Sequence, residues 1–111
     1  MILRYYENSS GKNPIKQYID SLPEEEQMDA YSVLGEMIKG KFNKIYPKQW
    51  KKKVYEVYFK KHNRIFYVIL NDTIYILHAC RKQKNKTEKQ DANIVKKRAK
   101  ELGKELNKTF I

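Results

Sequence analysis

Three apolar segments in the second half of the chain constrain its fold most. Residues 54–59, 64–70 and 73–80 are rich in Val, Ile, Tyr and Phe, which favour β-strands. The links between them are only four and two residues long, and Asn71-Asp72 suits a hairpin turn. Because such short links join antiparallel neighbours, the segments predict a three-stranded antiparallel meander.

Other patterns flank this meander. Residues 2–6 predict a first strand, and Asn13-Pro14 predicts a helix start with Asn as N-cap. Apolar stripes over residues 28–38 and 92–106 predict two longer helices. Two stretches have the Ser/Thr-x-x-Glu/Gln form of a capping box at a helix start, namely residues 21–24 and 87–90.

The predicted order is therefore β-α-α-β-β-β-α. Residues 1–111 are expected to form a single α+β domain, with two N-terminal helices and a C-terminal helix around a small, mainly antiparallel sheet. We expect the helices on one sheet face, which leaves the other face for a ligand.

The charge of the chain is strongly asymmetric. Residues 1–40 contain four basic and seven acidic residues, whereas residues 41–111 contain twenty basic and six acidic ones, giving net charges of −3 and +14. This excess favours a polyanionic partner, most simply a nucleic acid. The alternative is a solvated basic surface without a dedicated partner.

Several classes of protein are not expected. No apolar run approaches the roughly 20 residues of a membrane span, and the N-terminus lacks the pattern of a secretory signal, so we expect a cytoplasmic protein. Cys80 is the only cysteine and predicts a core residue. His78-x-Cys80 falls short of a zinc-binding set, and no Gly-rich phosphate loop exists. Neither a metal nor a cofactor is therefore expected.

Basic residues stand at the ends of the predicted strands. Because alternate strand residues share a face, Glu56, Tyr58 and Lys60 project together, and a hairpin brings Lys60 close to Arg64. Lys82 follows the third strand, and the alternation of strand residues places it on one face with Ile76, His78 and Cys80. Cations beside aromatic rings are typical of RNA binding, in which phosphates meet the cations and bases stack on the rings.

The order of four short motifs resembles a known family. These are YEV at 55–57, NRIFY at 63–67, ILHA at 76–79 and RKQKNKT at 81–87. Over roughly residues 13–102 the chain resembles the HigB or phage-Gp49-like branch of the RelE/ParE toxin superfamily. The resemblance implies the toxin of a type II toxin–antitoxin pair, which cleaves mRNA on the ribosome without a metal. It also implies a cognate antitoxin, often a helix-turn-helix DNA-binding protein.

The resemblance also implies roles for individual residues. Arg64 matches the strand Arg expected to hold the scissile phosphate, and Lys82 has a similar role or acts as general acid. Lys84 and Lys86 match loop lysines that contact phosphates, and Lys60 matches a basic residue at the end of the preceding strand. Tyr58 stands where the family has Arg, so the phosphate contact of that Arg is missing or is supplied by Lys60. The expected catalytic set is Arg64, Lys82, Lys84, Lys60 and Tyr58.

Other parts of the site stay open at the sequence level. The general base is Glu56, Tyr58, His78 or a lysine, with His78 better explained as a hydrogen-bonded core residue. The basic residues expected to hold RNA without taking part in chemistry are Lys51, Lys52, Lys53, Lys61, Arg81 and Lys86. Three alternatives to an mRNA endoribonuclease are a ParE-like toxin that inhibits gyrase, a non-catalytic RNA-binding module, and an inactive toxin remnant.

Overall fold

A five-stranded mixed sheet with three helices makes up the computed structural model, which describes residues 1–82 and 87–111. The elements in chain order are β1 (Ile2–Tyr5), α1 (Pro14–Asp20), α2 (Glu24–Ile38), a 3-10 turn (Phe42–Lys44), β2 (Lys48–Lys51), β3 (Val54–Phe59), β4 (Asn63–Leu70), β5 (Thr73–Arg81) and α3 (Lys89–Leu106). The α+β class is confirmed. No helix in these two stretches has the length and apolar composition needed to cross a bilayer.

The sheet has the strand order β1-β5-β4-β3-β2. The predicted meander of β3, β4 and β5 is confirmed, and β1 adds to it as a parallel edge strand beside β5. The strand β2 was missed by the sequence patterns and pairs antiparallel with β3. Its sequence KQWK contains no β-branched residue, so only its pairing with β3 makes it a strand.

Helices cover both faces of this sheet, so the expectation of a free sheet face was wrong. On one face, α1 and α2 bury Ile19 and Met37 against residues such as Ile65 and Ile76. On the other face, α3 buries Val95 together with Ala99, Phe66, Val68 and Leu77. Strands with both faces covered are apolar throughout, which explains the continuous apolar run of β4.

A bulge in β5 changes which residues share a face. Phe66 of β4 lies opposite His78, whereas the next residue, Tyr67, lies opposite Ile76, so Leu77 is the extra residue. The predicted grouping of Ile76 with His78 and Cys80 was therefore wrong. Ile76 packs against α1 and α2, while Cys80 lies in the cluster under α3.

The helix starts follow the sequence signals only in part. Asn13 caps α1 as predicted, because its side-chain oxygen accepts the backbone N–H of Lys16 at 3.0 Å. Neither predicted capping box forms: Ser21 ends α1, and α2 begins after Pro23 without a side-chain cap. The residue before α3 is Glu88, also without a side-chain cap.

Two hairpin turns contain left-handed residues that are not glycine. The β3–β4 turn has φ of 65° at Lys61 and 64° at His62, and the predicted β4–β5 turn has φ of 56° at Asn71. The positive φ of both Lys61 and His62 matches the twist of the flanking strands. The β3–β4 turn therefore fixes the register that places Tyr58 opposite Arg64.

Candidate active site

The polar residues of interest lie in two neighbouring rows across the sheet, on the face that carries α3. Tyr58, Arg64 and Cys80 lie opposite one another in the first row. The second row crosses the sheet in the order Lys48, Glu56, Phe66 and His78. Because neighbouring rows are two residues apart along each strand, diagonal side chains such as Arg64 and Glu56 come into contact.

Arg64 is a buried cation with only 3% of its surface exposed. Its Nη2 forms an ion pair with the carboxylate of Glu56, and its Nη1 donates to Thr87 Oγ1 at 2.9 Å. The guanidinium lies 5.3 Å from the ring centroid of Tyr58 and 5.0 Å from that of Phe66. Each of these contacts restricts the guanidinium, so Arg64 is a positioned charge.

The hydroxyl of Tyr58 joins the charged groups of the site. Lys82 Nζ donates to it at 2.9 Å, and Arg64 Nη2 lies within 3.4 Å. The hydroxyl in turn donates to Glu56 Oε1 at 3.3 Å. Lys82 also lies 4.9 Å and Lys48 5.5 Å from the centroid of the Tyr58 ring. We call Glu56, Tyr58, Arg64 and Lys82 the Tyr58 cluster.

The structure brings together four of the seven residues named for catalysis or proton transfer, and two of the others lie elsewhere in the described part of the chain. Lys60 forms an ion pair with Glu25 of α2, which raises the pKa of Lys60, and its backbone N–H donates to Asp29 at 2.7 Å. Lys60 therefore points toward α2 and not toward Arg64, contrary to the expected pairing. Lys84, like Lys86, falls within residues 83–86 and lies outside the described residues.

His78 lies beside the Tyr58 cluster but has other partners. Its Nε2 is 2.8 Å from Asp91 Oδ1, and Arg98 Nη1 lies 3.3 Å from its Nδ1. The ring also stacks on Phe66 at 6.3 Å between centroids. Burial lowers the pKa of His78 and raises that of Cys80 to about 12. Both ring nitrogens are thus engaged, as expected of a core histidine.

The residues predicted to hold RNA differ in how much they are engaged within the protein: Arg81 is held by internal contacts, whereas the described lysines are exposed. Arg81 has a structural role, since it donates to Lys61 O at 2.6 Å and to Glu26 at 2.7 Å. Lys61 is exposed in the β3–β4 turn. Lys51 ends β2 with its ammonium 5.2 Å from the Trp50 ring, and the exposed residues Lys52 and Lys53 form the turn that follows.

Three residues of the site were missed by the sequence patterns. Lys48 and Trp50 lie on β2, which has no strand-like composition. Thr87 was expected to cap α3, but its hydroxyl accepts Trp50 Nε1 at 3.0 Å and Arg64 Nη1. The only available signal was the alternation of Lys48 and Trp50, which places both on one face of a strand.

A comparison with protein-family models finds a match to this chain. Residues 17–100 match the model described as phage-derived protein Gp49-like (DUF891), which is more than half of the chain. The chain belongs to the Gp49-like family. This Gp49-like protein thereby falls within the RelE/toxin-like superfamily. A search of curated proteins finds no match.

The family match confirms the broader part of the resemblance. The matched stretch of this Gp49-like protein runs from α1 to α3 and contains every described member of the Tyr58 cluster. A phage-derived, toxin-like family of the RelE superfamily is consistent with a toxin. The assignment to the HigB branch, and the residues that act, remain predictions.

Proposed function

We propose that this Gp49-like protein is an endoribonuclease toxin that cleaves mRNA. The observation that carries the proposal is the meeting of Lys82 and Arg64 at the Tyr58 hydroxyl, beside the Glu56 carboxylate. Cleavage of RNA needs a base near a hydroxyl, an acid near the leaving oxygen and cations near the phosphate. The Tyr58 cluster offers each of these within one set of contacts.

The reaction uses the 2′-hydroxyl of RNA as the nucleophile. Its oxygen attacks the adjacent phosphorus, and the bond from phosphorus to the 5′-oxygen breaks. The products are a 2′,3′-cyclic phosphate and a free 5′-hydroxyl. Lys and Arg supply the positive charge that the pentavalent transition state needs, so the proposed chemistry requires no metal.

Proton transfer in this reaction runs through Tyr58. Two donors, Lys82 and Arg64, face the Tyr58 oxygen, while the Tyr58 proton is directed to Glu56 Oε1 at 3.3 Å. The Tyr58 oxygen takes the 2′-hydroxyl proton as its own proton passes to Glu56. Lys82 gives a proton to the leaving 5′-oxygen. The proposed relay gives Tyr58 a role in the reaction at the position where the family has Arg.

Binding of the RNA involves the basic residues around the cluster. Lys48, Lys51, Lys52 and Lys53 surround the β2–β3 edge, and Lys61 occupies the next turn. Exposed lysines bind phosphates without reading sequence, which suits a substrate held by the ribosome. Lys84 and Lys86 are proposed to contact the RNA as well, on the strength of the family resemblance alone.

The finer parts of the proposal concern partners. As a member of the HigB branch, the protein would cut mRNA in the ribosome and act in the cytoplasm. A cognate antitoxin, proposed to be a helix-turn-helix DNA-binding protein, would hold it inactive. Both partners follow from the resemblance to HigB-like toxins.

Cell-free translation tests the proposal. Purified protein is added to a system translating a defined mRNA, and the 5′ ends of the mRNA are mapped by primer extension. We expect new internal ends that carry 5′-hydroxyls, together with arrested synthesis. Intact mRNA would overturn the proposal, whether synthesis stops or continues. Undisturbed synthesis together with DNA breaks trapped on gyrase in a parallel assay would indicate a ParE-like toxin.

A further inference from the structure

Three side chains with different ligand chemistry meet at the junction of β5 and α3. The imidazole of His78, the thiol of Cys80 and the carboxylate of Asp91 each offer one ligand atom, and these atoms lie within 4.8 Å of one another. His78 Nε2 and Asp91 Oδ1 are already 2.8 Å apart. The side chains of His78 and Asp91 are 12% and 23% exposed, and Cys80 is 8% exposed. The group therefore lies just below the surface.

The fold explains why these residues meet. His78 and Cys80 are two residues apart beyond the β5 bulge, so both face α3. Asp91 lies in the first turn of α3, the helix that packs on this face. The sequence has no zinc-like spacing because the third ligand comes from another element, eleven residues after Cys80.

The combination of nitrogen, sulfur and oxygen ligands selects the metal. Zn²⁺ accepts Cys, His and carboxylate ligands together, whereas Ca²⁺ and Mg²⁺ require oxygen ligands. Tetrahedral zinc with bonds of about 2.0–2.3 Å separates its ligand atoms by about 3.3–3.8 Å. The three atoms lie within 4.8 Å of one another, so side-chain movements of about 1 Å would bring them to that spacing, with a water as the fourth ligand.

We propose that His78, Cys80 and Asp91 form a zinc site. Cys80 binds as a thiolate and releases its proton to solvent. The imidazole keeps one proton, which moves from Nε2 to Nδ1 as Nε2 binds the metal. Arg98 then leaves Nδ1 and retains its bond to the carbonyl of Leu77, which it already makes at 2.9 Å.

The surrounding charges allow this site. Arg64 lies opposite Cys80 in the sheet, and Arg98 contacts His78. A bare divalent ion beside two guanidinium groups would be unfavourable. One thiolate and one carboxylate neutralise the two charges of Zn²⁺, so the group with its metal bound is neutral.

The metal would connect two ends of one segment. Cys80 and Asp91 bracket residues 81–90, which include Lys82 and Thr87 of the candidate active site. Zinc would therefore fix the end of β5 to the start of α3. A ligand that binds only the folded chain raises its stability, so zinc is expected to raise the unfolding temperature.

Thermal unfolding and cobalt spectroscopy test the site. The whole chain is freed of metal, then titrated with Zn²⁺ while its unfolding temperature is followed, and with Co²⁺ while its absorption is recorded. We expect one ion per chain, a higher unfolding temperature, and a thiolate-to-cobalt charge-transfer band. Asp91→Asn should weaken Zn²⁺ affinity by at least about 100-fold, since losing an outer partner alone costs 10–100-fold.

Two variants complete the experiment. Cys80→Ser should abolish the charge-transfer band, and His62→Gln, which changes an exposed histidine in the β3–β4 turn, should bind like the wild type. Absence of the band in the wild-type chain would overturn the site, as would equal Zn²⁺ affinity in Asp91→Asn and the wild type. If Cys80→Ser does not fold, Asp91→Asn and the wild-type spectrum decide the question.

Discussion

The carboxylate of Glu56 forms an ion pair with the guanidinium of Arg64 inside the protein, where the two residues are 7% and 3% exposed. The pair links neighbouring strands diagonally and lies beneath the Tyr58 ring. A buried charge that loses its partner is strongly unfavourable. Arg64 therefore contributes both to the stability of the fold and to the positive charge of the candidate site.

Replacing Arg64 with Ala is expected to destabilise the protein by about 3–5 kcal/mol, because the Glu56 carboxylate stays buried without its partner. Urea unfolding measures the change. The double variant Glu56→Gln/Arg64→Gln should lose less than the sum of its single variants, because no unpaired charge remains. A loss below about 1 kcal/mol in Arg64→Ala would contradict the pairing.

Because Arg64→Ala is expected to be destabilised, loss of activity in this variant is only weak support for a catalytic role of Arg64.

Tyr58→Phe separates chemistry from folding. The variant keeps the ring beside Arg64 and Lys82 but removes the hydroxyl that joins Lys82 to Glu56. We expect the rate of mRNA cleavage to fall by about 10²–10⁴-fold, the usual contribution of a proton-transfer group. Tyr55→Phe is the matched control, since Tyr55 lies on the same strand but stacks on Tyr67. Wild-type cleavage by Tyr58→Phe would exclude the proton relay.

Glu26 is expected to make the protein sensitive to acid. Hydrogen bonds from Asn63 and then Arg81 lower the pKa of this carboxyl below its usual 4.5. Because the folded pKa lies below the unfolded one, the stabilisation is complete above about pH 4.5 and is lost as the pH falls through the folded pKa.

Urea unfolding at pH 7 and in steps below pH 4.5 measures this effect. Glu26→Gln should be less stable than the wild type at pH 7, and its stability should fall less on acidification. Glu24→Gln, an exposed change in the same helical turn, should follow the wild type. Parallel acid profiles for Glu26→Gln and the wild type would show that Glu26 carries no such linkage.

The β3–β4 turn offers a stabilising substitution. His62 has φ of 64° and is exposed, and a left-handed conformation costs a residue with a Cβ about 1–2 kcal/mol. His62→Gly should therefore raise the free energy of unfolding by about 1 kcal/mol, after the greater entropy of glycine in the unfolded chain is subtracted. Chemical denaturation checks this, and a less stable variant would mean that the His62 side chain contributes contacts.

The sequence predicted the elements whose signals are local. The meander followed from β-prone residues between short links, and Asn13-Pro14 identified the start of α1. The strand β2 and the position of α3 could not be predicted, because both depend on tertiary pairing. Thr87 shows the limit of a local motif: it matches a capping box, yet its hydroxyl is more favourably used by Arg64 and Trp50.

The sequence predicted which residues belong to the candidate site better than it predicted how those residues are arranged. Glu56, Tyr58, Arg64 and Lys82 were all named, since the alternation of strand residues and the family resemblance point to them. Lys60 could not be placed correctly because its ion pair with Glu25 requires knowledge of where α2 lies. The cluster of His78 with Asp91 depends on the bulge in β5, which leaves no mark in the sequence.

The central claim is that the Tyr58 cluster cleaves mRNA, and Lys82 tests it most directly. Lys82→Met removes the ammonium that contacts the Tyr58 hydroxyl at 2.9 Å without leaving a buried charge. Lys12→Met, at an exposed lysine before α1, makes the same change in charge and serves as control. The measurement is single-turnover cleavage of mRNA on programmed ribosomes at saturating protein. We predict that Lys82→Met cleaves at least about 100-fold more slowly, while Lys12→Met cleaves like the wild type. Wild-type cleavage by a folded Lys82→Met protein would contradict the account.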